Sequence, residues 1–280
     1  MNPKVAIVEF DGDVKRSLRK AVELIGGMDD LNVAERPVVI KVGVFDHRAE
    51  THSTVDVVDA ITGLFDRAPK VFIAESDNYR GKGSERLQIW KGLFSDRVVP
   101  FSLSEDEETR PVKVADETLG LSHILFKPNV FVSTHILRIF DKGSILKNLL
   151  GLVPDGKKVR FHKKLETALI DMYEAVGGID LAVADGTYVY RKTETVPRSE
   201  LDDPSYRIRT DVLLVGRDAV AVEAVGAALV GMNPSSVPVV REAVSRGFGE
   251  GSLDKIEVVG ASMDGLRERI QQQLSGEKTG

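Results

Sequence analysis

Cysteine is absent from all 280 residues. That removes disulfides, thiolate nucleophiles, cysteine-held zinc and cysteine-ligated iron–sulfur clusters from the chemistry of this chain. It fits a reducing, cytoplasmic setting. No apolar run approaches the roughly 20 residues that span a bilayer, and the first residues carry no signal-peptide apolar region. The formal net charge of −5 gives no general attraction to nucleic acid or to an anionic membrane. Neither standard phosphate cradle occurs: no Gly-x-x-x-x-Gly-Lys-Ser/Thr, and no Gly-x-Gly-x-x-Gly after a strand. The zinc signature His-Glu-x-x-His is also missing.

What is present is an ordinary globular composition, 42% hydrophobic and 29% charged. Strand-like and helix-like runs alternate along it, which predicts an α/β fold with a largely parallel sheet and crossover helices on both faces. Strands are expected at residues 5–8, 37–42, 71–74, 130–133, 179–184, 212–215 and 256–259, with short strands at 112–114 and 123–126. Helices are expected at 14–25, 54–65, 144–150, 165–176 and 219–230, the first and fourth on one-faced apolar periodicity and the last as an apolar run. Residues 187–206 read as a loop or lid. With no repeat or linker in evidence, 1–263 is one domain and 264–280 a frayed polar tail.

In open α/β sheets ligands bind outside the carboxyl ends of the strands. Those ends supply Lys41, then Glu75 with Ser76 and Asp77, then His135, Asp185 and Asp218. Each has a structural alternative. Lys41 can mark a strand leaving the core, Glu75 can cap a turn, and Asp185-Gly186 is a good turn pair. Asp218 before Ala219 reads as a helix N-cap. His47 and His52 fall in a polar loop and read as solvent-exposed.

Lys147-Asn148 is the least expected feature, a polar pair inside Ile145-Leu146-x-x-Leu149-Leu150. If 144–150 is helical, the four apolar residues face the core and Lys147 and Asn148 lie on an adjacent stripe that can point into a cleft. A lysine ammonium suits a carboxylate or phosphate, and an amide beside it can orient the same group. The structural alternative is a lysine that snorkels to solvent. His135 and His162 flank this segment as metal ligands, an acid/base pair, or donors to an anion. Ser144-x-x-Lys147 with Ser76-Asp77-Asn78 matches two serine β-lactamase motifs in the wrong chain order, and we reject it.

Several stretches in order resemble the family called domain of unknown function 362. They are Val39-Ile40-Lys41, Ala74-Glu75-Ser76, Ser133-Thr134-His135, Leu146-Lys147-Asn148-Leu149-Leu150-Gly151, His162, Asp185-Gly186 and Gly216-Arg217-Asp218 running to Glu223. Three positions depart from the family pattern. Val42-Gly43 stands where Pro-Asn is usual, Ser133 replaces a lysine, and Glu223 replaces an aspartate. The resemblance implies a fold and a residue cluster but no reaction. Many relatives carry a ferredoxin-like segment, which implies a redox partner as one alternative.

The expectation is therefore a cytoplasmic, enzyme-like protein that binds a small anionic molecule, with no nucleic-acid or membrane partner. Lys41 and Lys147 would neutralise the anion and Asn148 orient it. His135 and His162 would move protons, with Lys147 beside them, and Glu75, Ser76 and Asp185 would complete the ligand-binding wall. A racemase-like histidine pair is one variant. The alternatives are a non-catalytic module serving a redox partner and a His/carboxylate metalloenzyme. The sequence names no cofactor and no oligomeric state.

Overall fold

The structure is a computed structural model that describes residues 2–47, 51–191 and 206–275. Its centre is an eight-stranded sheet. The strands are β1 (Lys4–Glu9), β2 (Val38–Val42), β3 (Val71–Glu75), β4 (Val98–Ser102), β7 (Val130–Arg138), β8 (Leu181–Tyr190), β9 (Arg207–Gly216) and β10 (Glu257–Gly260). Between β4 and β7 the chain forms a separate antiparallel hairpin of β5 (Thr109–Val114) and β6 (Glu117–Ser122). Across the sheet the order is β10-β1-β9-β8-β7-β2-β3-β4. Only the two pairings of β9 are antiparallel.

Alternation along the strands divides the core into two layers. Ala6, Val8, Val38, Ile40, Val132 and Val183 face α1 (Val14–Leu24) and α2 (Val55–Leu64), with Trp90 packed in the same layer. Val5, Ile7, Val39, Phe131, Ala182 and Leu214 face the other way. There they meet α4 (Leu165–Ala175), α5 (Ala219–Leu229), α6 (Pro238–Ser245) and α7 (Met263–Ser275). One four-residue helix, α3 (Gly83–Arg86), follows β3. The chain is a single α/β domain, and among the described residues no helix is long and apolar enough to cross a membrane.

Strand order locates the crevice. From β2 the chain moves outward to β3 and β4; it then returns to the other side of β2 as β7 and continues to β8. The direction of winding therefore reverses between β2 and β7, where an open α/β sheet leaves a cleft at its strand carboxyl ends.

Several local expectations change. In place of a strand at 123–126 there is a short 3-10 turn, His123–Leu125. The polar tail is the helix α7 as far as Ser275, because Leu266 and Ile270, one helical turn apart, are buried on the core. Residues 187–190 extend β8, since Tyr188-Val189-Tyr190 suits a pleated strand and pairs with Arg207–Arg209 of β9. The remainder of the expected lid, 192–205, lies outside the described residues, as do 276–280. The segment at 144–150 is not an α-helix: a 3-10 turn runs over Lys147–Leu152.

Glu223, at the centre of α5, fixes that segment. Its carboxylate accepts the backbone N–H groups of Ser144 at 2.7 Å and Leu146 at 2.8 Å. Gly143 leaves room, since a Cβ there would come within 3.0 Å of the Glu223 carboxyl carbon. Burial raises the Glu223 pKa even though backbone donors favour its charge. Glu223→Ala should therefore cost about 1–3 kcal/mol for each backbone group left without a partner. Urea denaturation checks this; a change no larger than about 0.5 kcal/mol, typical of surface substitutions, would contradict it.

Candidate functional site

The cleft between β2 and β7 is closed below by Asn148. Its Nδ2 donates to Lys41 O at 2.9 Å on β2, and to Thr134 O and Ser133 Oγ at 3.2 Å on β7. Its Oδ1 accepts from Lys41 Nζ at 3.0 Å. Lys41, fully buried, also donates to Val42 O at 2.8 Å and to Glu75 Oε2 at 3.1 Å. The three ammonium hydrogens are thus all engaged. Ser133 accepts from Asn148 and donates to Ile145 O at 3.3 Å.

Glu75 is the charge centre of this floor. Its Oε1 accepts Ser76 N at 2.8 Å, and Arg86 Nη1 approaches Oε2 at 3.7 Å. Burial opposes its charge, but Lys41, Arg86 and Lys158 outweigh that and hold its pKa below the ordinary carboxylate value. Arg86 also donates to Val44 O and Ser76 O. Lys158 Nζ donates to Ser76 Oγ at 2.5 Å, and Ser76 Oγ donates onward to Gly151 O at 2.6 Å. Burial, with repulsion from Lys41, Arg86 and Lys147 against attraction to Glu75, brings the Lys158 pKa down to about 7. Lys41 is likewise lowered, first by burial.

Gly151 explains the glycine three residues after Asn148. A Cβ there would lie 2.4 Å from Lys41 Nζ and 2.7 Å from Glu75 Oε1. Gly43 has the matching role on the other side, where a Cβ would fall 2.4 Å from the His135 ring. The imidazole thus lies against the backbone of Gly43.

Above this floor opens a cavity of about 650 Å³. Among the described residues, six basic side chains line it (Lys41, Arg86, Arg138, Lys142, Lys147 and Lys158) against two carboxylates, Glu75 and Asp141. His135 and His162 line the same cavity but differ in setting: His135 is 6% exposed, whereas His162 is exposed at the mouth. Burial, then Arg138, Lys41 and Lys147, drive the His135 pKa well below 6.5, so its ring is neutral. Its Nδ1 has no hydrogen-bond partner among the described residues. The rim is apolar: Phe45 and Tyr79 meet edge to face at 5.5 Å with Arg80 over both rings, and Phe140 and Val159 add to it.

The structure brings Lys41, Glu75, His135, Lys147, Asn148 and His162 to one cavity. Ser76 sits behind it, bonded to Lys158. Asp185 goes elsewhere: it is within β8, not at its end, and shares the sheet face of Leu181 and Val183, opposite His135. Its Oδ2 accepts Thr54 N at 2.6 Å and Thr54 Oγ1 at 2.8 Å at the start of α2. Its Oδ1 accepts Thr187 N and Oγ1. Asp218 does cap α5. Neither His47 nor His52 is exposed; His52 packs against Trp90.

Sequence reasoning missed Arg86, Arg138, Lys142 and Lys158. The available signals were a charge ending an apolar strand at Ile136-Leu137-Arg138 and the basic run after Asp155-Gly156. Among the described residues no three His, Asp or Glu are grouped to hold a metal ion.

The family model described as Domain of unknown function (DUF362) matches residues 38–228, and the chain belongs to that family. The match spans β2 to α5 and so contains the whole cavity floor. No curated protein shows significant similarity to the chain.

Two outcomes follow from the electrostatics. Removing the carboxylate in Glu75→Ala strands buried cations, and the unfolding free energy should fall by about 3–5 kcal/mol. Urea titration would contradict this by showing a loss below about 1 kcal/mol, the range of an exposed pair. For His135 the folded pKa lies below the unfolded 6.5, so the unfolded chain protonates first. Its contribution is intact above the unfolded value and is lost as pH falls through and below it, by up to about 1.4 kcal/mol per pH unit. His135→Asn should flatten that acid limb in stability-versus-pH curves; parallel curves for the two proteins would rule it out.

Proposed function

We propose that this protein binds a small organic anion in the cavity at the β2–β7 reversal and that His135 acts there as a general base. The observation that supports this most is the basic lining of the cavity, six basic side chains against two carboxylates among the described residues. A lining of this sign attracts a small carboxylate or phosphate. A concave pit of this size favours a small molecule over a polymer. With the absence of cysteine, the reading is of a cytoplasmic protein without nucleic-acid or membrane partners.

The roles differ from a simple sequence reading. Lys41 and Asn148 have their hydrogen bonds committed to each other, to Glu75 and to the strands, so they hold the floor in shape. Lys147, Arg138 and Lys142 then supply the attraction. A neutral imidazole buried beside them is suited to accept a proton from a carbon or hydroxyl next to the anionic group, because the nearby cations stabilise the negative charge that develops. His162, at the mouth, would exchange protons with solvent. The unequal burial of the two histidines argues against a symmetric racemase pair.

A second reading has one observation in its favour. Tyr79 and Val159 are 67% and 69% exposed at the cavity rim, as a module that docks on a redox partner would require.

Calorimetric titration with inorganic phosphate and a series of small carboxylates tests the first reading. Binding to wild type should weaken about tenfold or more in Lys147→Ala, a loss of about 1.4 kcal/mol, and should fall as salt rises. Absence of binding by every anion in the series would overturn it.

A further inference from the structure

The geometry points to Lys158 as a nucleophilic amine that forms an imine with the carbonyl group of an anionic aldehyde or ketone held in the cavity. The inference rests on the anion-binding reading, which it narrows to carbonyl compounds with a carboxylate or phosphate.

Three features distinguish Lys158 from the other lysines of the cavity. It is 8% exposed yet lines the pit, so its amine is shielded from bulk water but within reach of a ligand. One N–H is anchored on Ser76 Oγ at 2.5 Å, and the Ser76 hydroxyl hydrogen is already committed to Gly151 O. The hydroxyl can therefore only accept from the lysine, and it leaves the nitrogen lone pair of the neutral amine unused. Third, the charged groups around it are Lys41 from β2, Glu75 from β3, Arg86 from α3 and Lys147 from the 3-10 turn, and Glu75 is already shared with Lys41 and Arg86. Burial and three like charges favour the neutral, nucleophilic amine near pH 7. Lys41 is buried too, but its three hydrogens are bound.

The step balances without an oxidant or reductant. The Lys158 lone pair forms the N–C bond and the carbonyl π pair moves to oxygen, which takes a proton. The carbinolamine then loses one N–H proton and the hydroxyl as water, leaving C=N. His162, on the same short turn as Lys158 and at the solvent end of the cavity, is placed to carry those protons. Arg138, Lys142 and Lys147 would take the anionic group, and the rings of Phe45, Tyr79 and Phe140 an apolar body.

Reductive trapping tests this. The full chain is incubated with para-formylbenzoate and cyanoborohydride at mildly alkaline pH, and modified lysines are mapped by mass spectrometry. The expected adduct is on Lys158, ahead of every other lysine by about tenfold or more, as its larger neutral fraction requires. Inorganic phosphate should slow it, benzaldehyde should react far less, and Lys158→Arg should lose it while still being stabilised by phosphate. If phosphate stabilises the protein but the label is absent, spread over many lysines, or on Lys147, the imine falls and the anion reading stands. Labelling of Lys158 that is indifferent to phosphate and equal with benzaldehyde would overturn the anionic-carbonyl proposal and the anion reading together.

Discussion

The side-chain amide of Asn148 bridges the two strands between which the sheet reverses its winding. Without a bridge, Lys41 O near the carboxyl end of β2 and Thr134 O within β7 would face an open crevice, and a buried carbonyl without a donor is costly. One NH₂ group serves both carbonyls, and the amide oxygen then takes a hydrogen from Lys41. That fixes the ammonium against Glu75, which in turn gathers Arg86 and Lys158. The cationic floor of the cavity follows from this single insertion. Its geometry tolerates little change, because Gly151 and Gly43 leave no room for a side chain against Lys41 and His135.

The same constraint accounts for the polar pair within an apolar segment. Ile145, Leu146, Leu149 and Leu150 are buried as their spacing implies, and they press the turn onto the sheet. Lys147 and Asn148 are buried with them at the cavity. Glu223 reaches from α5 to hold the start of the segment by its backbone, so helix, turn and strand ends are fastened to one another.

Much of this was legible in the sequence where period and chemistry agree. Val38-Val39-Ile40 before Lys41 and the β-branched run before His135 read as buried parallel strands, and both residues reached the cavity. Glu75 also came from the strand ends, whereas Lys147, Asn148 and His162 came from the polar pair inside an apolar segment and the histidine beyond it. Asp185 was misplaced because that reasoning locates the end of a strand but not the face of its last residue. β8 continues past it through a bulge, and alternation turns its carboxylate toward Thr54. The tail at 264–275 has only two buried apolar anchors, too few to signal a helix in a polar stretch. Arg86 has no local signature, and the basic run that holds Lys158 does not say which of its members turns inward, since a basic residue looks the same in sequence whether it meets solvent or a buried glutamate distant in the chain.

Anomalous diffraction from crystals soaked in selenate would test most directly whether the cavity is an anion site. The charge distribution predicts a selenium peak inside it, among Lys147, Arg138 and Lys142 and within hydrogen-bond reach of at least one of them. Selenate confined to the outer surface, with none in the cavity at saturating concentration, would contradict it.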